Sequence, residues 1–189
     1  MMAGDFEYTG RWPMNRWAEG RTALQAGGSQ RYRRRMTMIE IPTAIHRGDD
    51  ELPWVGIGDG SKLKVLQVKE CEGLWIIRNS FAPGYGVQTH KHTGPVYAFT
   101  LSGAWRYRES DFVNRAGSFL YEPAGSVHTL VVPADNTEQT DVYFAIWGAN
   151  LNLDADGNVE SIVDAGLILQ AYYALCEAEG LARPNVVLD

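Results

Sequence analysis

Cysteine is almost absent: Cys71 and Cys176 are the only two in 189 residues. They form no CxxC pair and cannot make a disulfide framework, so they read as free thiols and fit a cytoplasmic, reducing setting. Long apolar runs are absent too. Nothing approaches the ~20 consecutive apolar residues of a membrane helix, and the N-terminus shows no basic-apolar-small cleavage pattern. Excess positive charge is also missing, since the chain carries a formal net charge of −6. The balance is uneven. Residues 1–35 hold seven Arg against Asp5, Glu7 and Glu19, whereas residues 36–189 hold 10 basic and 20 acidic side chains. An acidic body argues against nucleic acid as a partner.

Helical periodicity is the next scarcity. Residues 1–35 have no sustained period of 2 or 3.6 and read as a disordered N-terminal extension, with RYRRR a solvated basic run. Residues 36–189 read as a single domain. Within it, runs of β-branched and aromatic residues follow one another: 64–69, 73–81, 95–103, 104–109, 117–123, 126–133 and 140–148. Such residues suit a pleated surface. Strand after strand with no intervening helix reads as an all-β antiparallel sandwich or barrel.

One helix is expected, over 161–179, with Ile162, Ala165, Leu169, Tyr172 and Cys176 on one stripe. Ser161 with Asp164 forms a capping pattern, and Gly180 is a natural stop. Leu167, Ile168 and Tyr173 lie off that stripe, so the helix is expected to help pack a homodimer or homotetramer. The preceding segment 154–158, DADGN, is a turn. A calcium loop beginning at Asp154 would need a closing Glu where Ala165 stands.

The chemistry lies in the histidines. His90 and His92 are two apart, so on a strand they share a face. His128 follows the turn-forming Pro123 and Gly125. Three imidazoles sharing a core need something to bind their lone pairs, and a metal ion does so. His46 sits in a polar stretch and has no assigned role. The segment from Gly84 reads G-x5-H-x-H-x3-V-x6-G, and that from Gly117 reads G-x5-P-x-G-x2-H-x3-V. This spacing resembles the two motifs of the cupin superfamily. The resemblance implies a double-stranded β-helix, the jelly-roll barrel, with the C-terminal helix added, and His90, His92 and His128 as metal ligands. Many cupins carry a Glu where Val96 stands, which leaves three neutral imidazoles and an uncompensated cation. Such a site suits an anionic bidentate ligand such as an enolate.

The wording of LPWV (52–55), 90–109 and 117–132 is similar to the 2,4'-dihydroxyacetophenone dioxygenase group and, more distantly, to acetylacetone-cleaving dioxygenases. Both imply non-haem Fe2+, O2, oxidative carbon–carbon cleavage of an enolisable ketone, and a homo-oligomer. Imidazole also suits Zn2+, Mn2+ and Ni2+. That leaves two other readings: a non-oxidative isomerase or hydrolase, and a sensor domain like the zinc-containing cupins of anti-sigma factors. The latter carry further metal ligands in an N-terminal helical region, and residues 1–35 here contain no His or Cys.

Trp105, Tyr107 and Glu109 alternate along one strand face. Facing inward, Tyr107 and Glu109 would be catalytic groups, while Val96 and Trp105 would line the substrate pocket. Facing solvent, Glu109 would be a strand-end carboxylate. Glu122 reads as a rim residue. Tyr97 and Phe99, out of phase with Val96, should face away from the site, against the helix or a subunit interface.

Overall fold

A computed structural model describes residues 43–188. The expectation for residues 1–35 lies outside the described residues. Three sheets wrap one core. The first takes the order β1-β2-β3-β11-β5-β8. Its members are β1 (Val55–Gly58), β2 (Ser61–Lys69), β3 (Leu74–Phe81), β5 (Val96–Ser102), β8 (Phe119–Glu122) and β11 (Thr140–Trp147). The second takes the order β13-β12-β4-β9, built from β4 (His90–His92), β9 (Val127–His128), β12 (Asn150–Leu153) and β13 (Val159–Val163). The third places β6 (Ala104–Tyr107) between β7 (Asn114–Arg115) and β10 (Leu130–Val131). The named strand pairings are all antiparallel, as the sequence predicts.

The core follows from the period-2 alternation of these strands. Register aligns three inward rows across the first sheet. One runs Val68, Trp75, Ile146, Val96, Glu122; the next runs Val65, Ile77, Phe144, Ala98, Leu120. The third runs Leu63, Asn79, Val142, Thr100. Nearly all of these side chains are buried. Three are polar: Glu122 in the first row, and Asn79 and Thr100 in the third. The runs 95–103 and 104–109 suggest a hairpin turning at Ser102–Gly103, but β5 and β6 do not pair: at Gly103 the chain leaves the first sheet for the third. The Gly103 φ of +70 and the 2.4 Å that would separate a Cβ from the Thr140 hydroxyl leave room for glycine alone.

The helix is shorter than the sequence suggests. It spans Ala165–Ala178 and packs on β2 and β1 through Leu169, Tyr172 and Cys176. Asp164 is its N-cap, accepting from the Leu167 amide at 2.8 Å. Residues 159–163 instead form β13, which closes a hairpin with β12 around the DADGN turn. Asp154 holds that turn through the amides of Asp156 and Asn158. Ile162 therefore leaves the expected helical stripe and is exposed. No described helix is long and apolar enough to cross a membrane.

Candidate metal centre

Strand β4 places His90 and His92 on one face, and β9 lays His128 directly opposite His90. The turn that brings His128 there has Gly125 at φ +88, with its amide donating to the His92 carbonyl at 2.7 Å. All three imidazoles are buried, and one ligand atom from each lies within 4.8 Å of the others. The Nε2 atoms of His90 and His92 are 3.1 Å apart. His90 Nδ1 donates to the Gln88 carbonyl at 2.7 Å, which leaves Nε2 with its lone pair turned inward. Burial lowers the His90 pKa to about 4, outweighing the opposite pull of the Gln88 carbonyl, so the ring is neutral at physiological pH.

The structure also places a carboxylate beside the imidazoles. Glu122 is 3% exposed, not a rim residue. Its Oε2 lies 2.9 Å from His92 Nε2 and 3.1 Å from His128 Nε2. Burial works to raise its pKa, but the imidazoles of His128 and His92 overcome this and hold the carboxyl at about 2. Glu122 Oε2 and His128 Nε2 are nonetheless buried without hydrogen-bond partners among the described residues. Unpartnered buried acceptors converging on one point are costly unless a cation lies between them. The donor set of three imidazoles and one carboxylate thus fits a first-row divalent metal.

The origin of this carboxylate is a strand pairing. Val96 sits directly opposite Glu122 in the β5–β8 ladder, where facing Cβ atoms lie about 5 Å apart. The acid missing from Val96 is supplied from the adjacent strand. This corrects the expectation of a carboxylate-free site.

Tyr107 reaches the same place. Its hydroxyl donates to Glu122 Oε1, and its ring stacks on His128 at 3.8 Å between centroids. Burial, with the negative Glu122 beside it, pushes its phenol far above the ordinary range, so it stays protonated. The other residues singled out from the sequence lie elsewhere. Strand β6 ends at Tyr107, so Glu109 leaves the alternating face. It is exposed and accepts from the Thr129 amide and hydroxyl at 2.9 and 2.7 Å. Trp105 is fully buried beside the cavity wall, donating to the Thr100 hydroxyl at 2.9 Å. Val96 is fully buried behind Glu122, so neither it nor Trp105 lines the cavity. His46 is exposed beside Glu51.

His90, His92 and Glu122 open onto a cavity of about 310 Å³. Its walls are mainly apolar, with Trp75, Ile77, Phe81, Leu130, Phe144 and Ile146 among them; Asn79, Asn150 and Asn152 interrupt them. Asn150 and Asn152 stand opposite His92 and His90 on β12.

Comparison with known proteins agrees with this architecture. Residues 43–149, more than half the chain, match the family described as the ChrR cupin-like domain. A cupin-like protein of unknown function from Ralstonia eutropha JMP134 is 31% identical, with a TM-score of 0.73, over 79% of this chain and 94% of that one. An RmlC-like cupin from the same organism is 27% identical, with a TM-score of 0.70, over 78% and 95%. An acetylacetone dioxygenase from Acinetobacter johnsonii shares the fold at 17% identity and a TM-score of 0.62, over 72% and 94%. No curated protein matches the chain.

Proposed function

Since the chain belongs to the ChrR cupin-like domain family, whose fold it has, we propose that it is a metal-dependent cupin enzyme: a non-haem Fe2+ dioxygenase that cleaves a carbon–carbon bond in an enolisable ketone, a β-diketone or aryl hydroxyketone. The observation that carries this reading is a buried cluster of three imidazoles, with the Glu122 carboxylate beside it, opening through His90, His92 and Glu122 onto a mainly apolar chamber. A purely structural metal site is closed by its ligands and adjoins no chamber.

Charge supports an enolate in particular. Three neutral imidazoles and one carboxylate leave a divalent ion at +1, and a monoanionic chelate brings the centre to neutrality. The bound ion would supply Lewis acidity for the enolate oxygens and a place for O2 to react beside them. The chain does the rest. His90 is fixed in one tautomer by Gln88, and Tyr107 holds Glu122 by its second oxygen so that Oε2 faces the donors. The apolar walls exclude water and strengthen every electrostatic contact inside. The resemblance in wording to the dihydroxyacetophenone dioxygenases favours an aryl ketone.

The experiment is oxygen uptake by iron-loaded protein on a panel of β-diketones and aryl hydroxyketones. Uptake above that of free iron is expected for at least one. None across the panel overturns the proposal.

A second reading rests on the family match itself, since that family takes its name from ChrR. In it the domain is a metal-binding sensor, with Zn2+ at the same donors. Bound zinc in protein purified without added metal, together with an inert iron form and recovery of a sigma factor in a pull-down, would favour it. Bound zinc, manganese or nickel with turnover but no oxygen consumption would point instead to an isomerase or hydrolase.

A further inference from the structure

Asn79 has no role in the metal centre, yet it is placed as a ligand-binding group. It lies on β3 and projects inward, between Leu63 on one side and Val142 on the other. Its side chain lines the same cavity as His90 and His92 and is 7% exposed. Its amide makes no hydrogen bond among the described residues. An amide that faces an apolar chamber with its donor and acceptor unused favours occupancy by a polar group of a ligand.

Register fixes which end of the ligand this is. Trp75 belongs to the same row as Glu122, and Asn79 lies four residues further along β3. At ~3.3 Å per residue that is about 13 Å along the strand. Between the two ends stand Ile77 and Phe144, both apolar. The chamber is therefore polar at the metal, apolar in the middle and polar again at Asn79.

We propose that Asn79 is a specificity-determining residue, binding a hydroxyl or carbonyl carried at the far end of an apolar, preferably aromatic, ligand whose other end chelates the metal. The amide both donates and accepts, so it pairs with a phenol in either direction. An aromatic ring suits the middle because Trp75, Phe81 and Phe144 line it. The inference rests on the proposed ketone reading for the identity of the chelating end alone.

Two probes test it by calorimetry on the full chain as purified: 1-(4-hydroxyphenyl)butane-1,3-dione and its 4-methylphenyl analogue, which swaps the hydroxyl for a group of similar size. The hydroxyl probe should bind roughly five- to tenfold tighter. In Asn79→Leu that preference should vanish or reverse. Leucine is an apolar replacement of similar size, so the variant should fold. Equal binding of both probes by the unaltered chain, a preference that survives Asn79→Leu, or no binding of either probe overturns the inference. Turnover is not read. An inert iron form would therefore remove the proposed reaction and leave this result standing, and a lost hydroxyl preference in an active enzyme would do the reverse.

Discussion

Strand β5 is mainly apolar on both faces, and for different reasons. Inward it presents Val96, Ala98 and the buried Thr100, outward Tyr97, Phe99 and Leu101. The small inner residues leave space, and that space is occupied by Glu122 from the neighbouring strand and by the cavity beyond it. The large outer residues fill no space within the chain and stand in solvent. An antiparallel strand with one solvated face ordinarily alternates apolar and polar residues. The inner face is covered by the core around the candidate metal centre, whereas the outer face of the β5–β8 half is left open.

The largest expected effect breaks the inner face. His90→Ala removes a donor that β9 places opposite His128. Metal affinity should fall by more than the ~100-fold typical of losing a supporting residue alone, which elemental analysis after dialysis would read as loss of the ion. Retention at one ion per chain would contradict the donor set.

The next effect sharpens the account of Glu122. Glu122→Gln keeps the shape and removes the charge, and affinity should drop roughly 10- to 100-fold. Because Val96 lies directly across the ladder, adding Val96→Glu should recover part of that loss by returning the carboxylate from the other strand. Competition with a chromogenic chelator measures both. No loss in the single variant would show that Glu122 is a bystander.

A smaller effect belongs to the covered half of the outer face. The Lys64 ammonium beside Asp49, joined by Arg78, holds the Asp49 carboxyl below its ordinary value of 3.8, against the opposing effect of burial. A carboxylate lowered in the folded state adds stability that is present above its unfolded pKa and lost as pH falls through the folded one. Thermal melts from about pH 5 to about pH 3 should therefore fall more steeply for the unaltered chain than for Asp49→Asn. Parallel slopes would show that the loop before β1 is held by Trp54 and Leu52 alone.

What the sequence made legible was local. His90 and His92 share a face because they are two apart, and the Pro123–Gly125 turn announces His128. Glu122 was not legible as a donor, because its partner strand is distant in sequence and only the β5–β8 register shows that it faces the histidines. Its phase was available: Tyr121 points out, so Glu122 points in. Glu109 misled for a related reason. Alternation carries a side chain inward only while the strand lasts, and β6 stops two residues earlier. The β12–β13 hairpin was hidden by a capping pattern at Ser161 that reads equally well as the end of a strand. Asn79 stood in an otherwise ordinary strand, and only the cavity gave it meaning.

The central claim is that His90, His92, His128 and Glu122 together hold one divalent metal ion. X-ray absorption on protein reconstituted with a single equivalent of Fe2+ tests it most directly, with Glu122→Gln measured alongside. The account predicts a nitrogen and oxygen shell with three imidazoles and one carboxylate oxygen, the last of these lost in the variant. A shell with fewer than three imidazoles, or one unchanged in Glu122→Gln, would contradict it.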